Sequence, residues 1–279
     1  MAMTRRHADL AASELTPKRG FGSIASAQSL ESNSVASAVS LIFAADKRPC
    51  ARDIRELAER LGQFTLSIDP AVDGGEDEGW VELLANGLTF DLVGLAPNVA
   101  KALPECEHRF ALPDGFDSAG MEAITLTPGP HLSGGGAMFP VVRCLALLAA
   151  QLSELDSIQA VAWHTARTFS APDYFRRGVM NWIEGGVFPG LGLTALTTNP
   201  DGAMQTKGLS LFTSQELRLS PEMCADRTEA AKVALRLVNW LVEHGRIEQP
   251  FTFTGPAGET LELEPVDNFG IVQVWRRSH

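Results

Sequence analysis

The sequence predicts an α+β fold, with mixed, largely antiparallel sheets and helices packed on them. Short apolar runs such as VSLIFA at 39–44 are typical of buried strands. Two turn signals, Asn86-Gly87 and Asn199-Pro200-Asp201-Gly202, predict hairpins and therefore antiparallel neighbours. Amphipathic segments with proline or acidic residues at their starts and glycine at their ends predict helices between these strands.

The first half of the chain is predicted to become ordered at Val35. Residues 1–34 are rich in Ala and Ser and hold few large apolar side chains, so we expect a disordered tail. A helix should start near Pro49 and end at Gly62, which gives a β-α-β start, and Pro97 should open a short helix. The predicted strands of this half are 39–44, 64–68, 80–85, 88–93 and 123–127.

The second half is predicted to contain three long helices, and 35–279 is expected to form a single domain. One helix runs from Phe139 to about Leu155, one is capped by Ser170, and the last begins at Asp226 and ends at Gly245. The Asn199–Gly202 hairpin is expected at the centre of a sheet. The predicted strands are 158–163, 191–196, 203–209, 216–219, an edge strand near 261–264, and 270–275.

Charge and composition exclude several classes of protein. The formal net charge is −11, and nucleic acid binding requires clustered Lys and Arg, so we expect no nucleic acid partner. No apolar run is long enough to span a bilayer, and the negative charge disfavours an anionic membrane surface. Four widely spaced cysteines without a C-x-x-C pair indicate a reduced, cytoplasmic protein.

Two histidines are the first candidate functional residues. His164 follows the strand that ends at Trp163, with Arg167 and acidic residues nearby in sequence, so it could act as a general base or simply end a strand. His131 lies in the Gly-rich loop 128–136 before a helix, which could be an anion site or a flexible connection. In both cases we favour the structural interpretation.

Sequence motifs for established chemistries are missing. The chain contains no G-x-S-x-G elbow, no phosphate-binding G-x-x-x-x-G-K-[ST] loop and no dinucleotide fingerprint. The six histidines never fall two or four residues apart, and Cys106-Glu107-His108 has no second ligand pair. We therefore assign no catalytic residue, no metal site and no cofactor.

Several segments resemble a bacterial family known as domain of unknown function 4261. They are VSLIFA, TPGPHLSGG, the strand ending in Trp163, and TKGLSLF with the following EL at 206–217, where Thr213-Ser214 replaces a glycine. The resemblance covers Val35 to the C-terminus and implies an α+β fold without a known reaction. A looser similarity to suppressor-of-fused-like domains, which include bacterial immunity proteins, implies partner binding. The signature adds four candidate residues: Thr206, Lys207, Gly208 and Glu216.

These observations predict a non-enzymatic cytoplasmic protein that binds another protein, as an immunity or accessory factor. The net charge of −11 favours a basic partner. The alternative is a hydrolase that uses His131 or His164, and a third possibility, a small-ligand sensor, has no sequence feature of its own. Convergence of both histidines and Glu216 in one pocket would favour an enzyme.

Overall fold

The computed structural model describes residues 37–72, 78–132 and 134–277. Within these residues the chain forms two mixed, mostly antiparallel sheets and six helices, which confirms the predicted α+β class. The tail predicted over 1–34 lies outside the described residues. The single-domain organisation of 35–279 stays a prediction.

The first sheet has eight strands in the order β2-β3-β4-β6-β1-β7-β8-β5. All neighbouring pairs are antiparallel except β5 and β8, which are parallel. The strands are β1 (Val39–Phe43), β2 (Thr65–Ile68), β3 (Trp80–Ala85), β4 (Leu88–Val93), β5 (His108–Phe110), β6 (Glu122–Pro128), β7 (Ile158–Trp163) and β8 (Thr168–Ser170).

Three helices pack on the inner face of this sheet: α1 (Ala51–Leu61), α2 (Phe139–Leu152) and α3 (Pro172–Ile183). Helix α1 ends at Gly62, whose φ of 66° is a left-handed conformation that glycine adopts without strain. Helix α2 is apolar on nearly every side, because it lies between the sheet and other helices.

The second sheet has six strands in the order β12-β13-β14-β11-β10-β9, with only β11 and β14 parallel among its neighbours. The strands are β9 (Ala195–Thr198), β10 (Met204–Lys207), β11 (Glu216–Leu219), β12 (Phe251–Thr254), β13 (Thr260–Val266) and β14 (Ile271–Arg276). Three helices accompany them: α4 (Gly190–Leu193), α5 (Ser210–Thr213) and α6 (Arg227–His244). The Asp226 side chain caps α6 by accepting from the N–H groups of Thr228 and Glu229.

One hydrophobic core connects the two sheets. It includes Trp163 from the first sheet, Phe212 from α5, and Leu217 from the second sheet, all buried. The rings of Trp163 and Phe212 are stacked with their centroids 6.0 Å apart. The sheets are therefore joined by direct packing of aromatic side chains.

The outer face of the first sheet is only partly apolar. At one end Ile42, Ala162 and Phe169 form a small separate cluster, against which Leu103 and Phe116 pack. Towards the other end the same face carries polar side chains of β3, β4 and β6. This polar part of the sheet positions both candidate histidines, as described below.

The Asn199–Gly202 hairpin forms as predicted, but its position was predicted wrongly. Gly202 has a φ of 88°, and β9 pairs with β10 in register. However, β9 is the edge strand of its sheet, and Leu191 and Leu193 belong to the irregular turn α4 rather than to a strand. The carbonyl groups of that turn are satisfied by side chains, which include the hydroxyl groups of Tyr174 and Thr168, so no strand is needed there.

Four further predictions about elements were wrong. The segment after Pro97 forms no helix, and its backbone instead makes an isolated bridge to β6 through Lys101. Strand β13 is interior rather than at an edge, because the unpredicted β12 pairs with it. Ser170 belongs to β8, so the N-cap of α3 is Ala171. Strands β5 and β8 were missed because three residues are too few to show a periodicity.

Candidate functional site

The signature around Glu216 forms a closed structural unit. The Glu216 carboxylate accepts hydrogen bonds from the Thr206 hydroxyl at 2.6 Å and from the N–H groups of Gly208, Leu209 and Ser210 at 2.9–3.2 Å. A carboxylate with four donors has little capacity left for a ligand. Glu216 therefore holds the turn between β10 and α5.

Gly208 is required at that turn for two reasons. Its φ of 89° lies in the left-handed region, and a Cβ there would come within 3.0 Å of Ala166. The Thr206 hydroxyl also accepts the N–H of Leu217 at 2.7 Å, which ties β10 to β11. Three of the four signature residues thus have structural partners.

Lys207, the fourth, belongs to an ionic network between the sheets. Its Nζ lies 2.6 Å from Glu107, whose other carboxylate oxygen lies 2.5 Å from Arg167. Arg167 also contacts Glu105 at 3.2 Å. The two cations hold the pKa of Glu107 below its ordinary value, chiefly through the hydrogen bond from Lys207. The network is exposed, so it contributes modestly to stability.

His164 is bonded to a serine that the sequence did not reveal. Its Nε2 lies 2.8 Å from the Ser40 hydroxyl, which also lies 2.9 Å from the hydroxyl of Thr125. Burial lowers the pKa of His164 from 6.5 to about 4, so the ring is neutral at pH 7. Ser40 has no exposed surface, so a substrate could not reach its hydroxyl without rearrangement.

His131 lies beside two acidic residues of the first sheet. Its Nε2 is 2.7 Å from the Thr89 hydroxyl and 3.5 Å from a carboxylate oxygen of Glu82. Glu82 is 7% exposed, accepts the Ser67 hydroxyl at 2.7 Å, and is paired across the strands with Asp91. Burial, and secondly Glu82, raise the pKa of Asp91, whereas His131 lowers it.

The two histidines share one face of the sheet but do not meet. Asp91, which lies beside His131, is paired with Thr127 on the neighbouring strand. Continuing across the sheet in the same direction leads to Ala38, whose carbonyl group accepts the N–H of His164. Three strand spacings separate Asp91 from His164, which is about 14 Å. Glu216 lies on the other sheet. The convergence expected of an enzyme is therefore not formed by these residues.

The groove most suited to a partner lies elsewhere, between the start of α2 and the end of α5. This cavity of about 470 Å³ is lined by ten residues, which include Met138, Phe139, Phe212, Ser214 and Arg246. We call it the aromatic groove. Two of its apolar residues are exposed to water, Met138 by 61% and Phe139 by 37%.

The floor of the aromatic groove is packed against other aromatic rings. The Phe212 ring lies against Trp163, Trp182 and Phe188, at centroid distances of 6.0, 6.1 and 4.9 Å. Phe139 packs edge-on against Trp182 at 6.0 Å. These contacts connect the exposed groove to the hydrophobic core.

The aromatic groove is not predicted from the sequence, although two of its residues belong to predicted features. Phe139 was recognised as the start of a buried helix, and Phe212 was noted only as part of the signature. A signal was present in Met138, Phe139 and Pro140, because two large apolar residues directly precede a helix-starting proline. Their exposure depends on the packing of α5 and could not be inferred.

Comparisons with known proteins add no assignment: no protein-family model, curated protein or solved structure matches the chain.

Among the described residues, no three His, Cys, Asp or Glu side chains are arranged to hold a metal ion. No helix within those residues has the length and apolar character that crossing a membrane requires.

Proposed function

We propose that this chain is a non-enzymatic factor that binds another protein, and that the aromatic groove is its contact surface. The observation that carries the proposal is the exposure of Met138 and Phe139 beside a floor formed by the buried ring of Phe212. Exposed apolar side chains grouped at a groove are characteristic of protein interaction sites. Aromatic residues, Met and Arg are also the types enriched at such interfaces.

Three expectations from the sequence belong to this proposal. A cytoplasmic location is supported by the four cysteines, all of which are free. A basic partner is favoured by the net charge of −11, which would accelerate its approach. The resemblance to domain of unknown function 4261 and to suppressor-of-fused-like domains agrees with partner binding by analogy.

The alternative function, a hydrolase, has one supporting contact, the 2.8 Å hydrogen bond between Ser40 and His164. A serine–histidine pair is the start of a nucleophilic site. Ser40 is fully buried, however. Besides the aromatic groove, the described residues form two cavities of about 380 Å³, and none of these three is lined by Ser40 or by either candidate histidine. We therefore favour binding.

Affinity capture with matched variants tests the proposal. Met138→Ser removes the more exposed of the two large apolar side chains at the rim of the aromatic groove, and serine at this N-cap position should not destabilise α2. Phe251→Ser removes an exposed apolar side chain, 43% exposed and stacked on Trp240, from β12 outside the groove and serves as the control. Capture of a partner should be lost with Met138→Ser and kept with Phe251→Ser, His131→Ala and His164→Gln. Loss of function with a histidine variant alone would support the hydrolase.

A further inference from the structure

We propose that the aromatic groove binds a segment of the partner protein in which a bulky apolar side chain is followed by an aspartate or glutamate. This inference rests on the proposed function and adds the chemistry of the segment. Its apolar part would bury Met138 and Phe139, and its carboxylate would pair with Arg246.

The charge of the groove is opposite to that of the whole chain. Arg246 is the only charged side chain among the ten lining residues, in a protein with a net charge of −11. The N-terminus of α2, which begins at Phe139, also lies at the groove and adds a partial positive charge. A segment with one carboxylate would therefore be favoured over a neutral or basic one.

Arg246 is available for such a contact. Arg246 forms one loose ion pair, in which its Nε lies 3.9 Å from a carboxylate oxygen of Glu248. That distance is beyond hydrogen-bond range, and the Glu248 side chain is 74% exposed, so the guanidinium donors stay open to a second carboxylate. The guanidinium group lies over the Phe269 ring, 5.6 Å from the centroid. This cation–π contact restrains the guanidinium, and an arginine can bind a carboxylate through two parallel hydrogen bonds.

A buried glutamine holds Arg246 and Phe269 in place. Gln215 has no exposed surface, and its Nε2 donates to the carbonyl groups of Ile247 at 2.9 Å and Phe269 at 3.0 Å. Its Oε1 accepts the N–H of Ile247 at 2.8 Å. The side-chain amide thus fixes the two segments that carry the arginine and its stacking partner.

The backbone at Phe269 is unusual and agrees with a functional position. Asp267, Asn268 and Phe269 have φ values of 51°, 53° and 67°, three successive left-handed residues without a glycine. This conformation is unfavourable for a phenylalanine, and the residue is 44% exposed beside Arg246. Presenting a ring to a partner is a reason to retain such a conformation.

Fluorescence anisotropy with defined peptides tests the inference. The probe is a short fluorescein-labelled peptide with leucine, phenylalanine and aspartate in succession, and its match carries asparagine in place of aspartate. The purified chain should bind the aspartate peptide about tenfold more tightly, since one charged hydrogen-bonded pair contributes about 1.4 kcal/mol. Arg246→Gln should abolish that difference, whereas Met138→Ser should weaken both peptides and Phe251→Ser neither.

Each outcome separates this inference from the proposed function. Equal affinity for both peptides in the wild type would overturn the carboxylate requirement. The inference would also be overturned if neither peptide bound while capture of the partner still depended on Met138. If partner capture is indifferent to Met138→Ser, the proposed function itself fails. Far-UV circular dichroism and thermal unfolding of every variant ensure that a lost affinity is not a lost fold.

Discussion

Glu216 and Glu82 are both glutamates on sheet strands, the first half-buried and the second buried, yet their surroundings are opposite. Glu216 receives four hydrogen bonds, three of them from backbone N–H groups. Glu82 receives one hydroxyl, lies 3.5 Å from His131, and faces the carboxylate of Asp91 across the strands. A carboxylate that is shielded from water stabilises the fold where several hydrogen-bond donors surround it. It destabilises the fold where a second carboxylate lies beside it.

The largest expected effect is at Glu216. Replacing it with alanine removes four hydrogen bonds to a charged group and leaves backbone donors without a partner, so Glu216→Ala should cost about 4 kcal/mol of unfolding free energy. Glu264→Ala, at an exposed position of β13, is the control and should change stability by less than about 0.5 kcal/mol. Urea unfolding followed by circular dichroism measures both. Similar losses in the two variants would mean that the four bonds do not stabilise the turn.

His164 extends the comparison to a buried group with one side-chain partner, Ser40. Its pKa is about 4 in the folded chain, below the ordinary value of 6.5, so between these values the unfolded chain binds a proton that the folded chain does not. Stability is therefore lost as pH falls from about 6.5 to about 4, with a loss of about 3 kcal/mol at pH 4.

The His164→Gln variant isolates this effect. Glutamine can keep a hydrogen bond to Ser40 but does not titrate, so the variant should lose about 3 kcal/mol less than the wild type between pH 7 and pH 4. Urea unfolding at the two pH values gives both free energies. If the unfolding free energies of wild type and variant fell by the same amount between the two pH values, the His164 ring would not be shielded from water in solution.

A substitution at Gly208 tests how much the backbone conformation contributes to the stability of the turn that Glu216 holds. Gly208→Ala should cost about 2 kcal/mol, because alanine meets both an unfavourable positive φ and contact with Ala166 at 3.0 Å. Gly87→Ala is the matched control, since Gly87 has a φ of 76° but open space around it, and should cost about 1 kcal/mol. Thermal melts compare the two. Equal costs would show that only the dihedral angle matters at Gly208.

The fold class could be predicted from the sequence because its signals are local. The Asn86-Gly87 hairpin, the glycine that ends α1 and the Asp226 cap all act within a few residues. The order of strands depends on contacts far apart in sequence, such as the parallel pairing of β11 with β14. No local pattern encodes that pairing, which is why the hairpin was placed at the centre of its sheet.

Of the candidate residues, the sequence could predict only those whose hydrogen bonds are local and hold a turn together. Thr206, Gly208 and Glu216 were identified through the signature, and their contacts lie within eleven residues of one another. The Ser40–His164 contact spans 124 positions, and the aromatic groove joins α2 to α5 and Arg246. Such contacts arise from tertiary packing, so a single sequence does not reveal them.

The smallest expected effect is at Asp91, where the comparison with Glu216 is most direct. Burial and the neighbouring Glu82 raise the pKa of Asp91. An acid with a raised folded-state pKa contributes most stability at pH below its unfolded value of 3.8, and this contribution is lost as pH rises through the folded value. At pH 7 the charged Asp91 is therefore unfavourable, although Asp91 is half-buried and water screens the effect.

Asp91→Asn keeps the size of the side chain and removes its charge. At pH 7 it should leave the unfolding free energy unchanged or raise it by less than about 1 kcal/mol, measured by urea unfolding. The control is Glu82→Gln, which removes the other charge and should lower the pKa of Asp91, as read from its carboxyl carbon shift by NMR. A loss of stability above about 1 kcal/mol in Asp91→Asn would mean that this carboxylate is held by donors as Glu216 is. The contrast between the two acidic sites would then be wrong, because both would stabilise the fold by the same means.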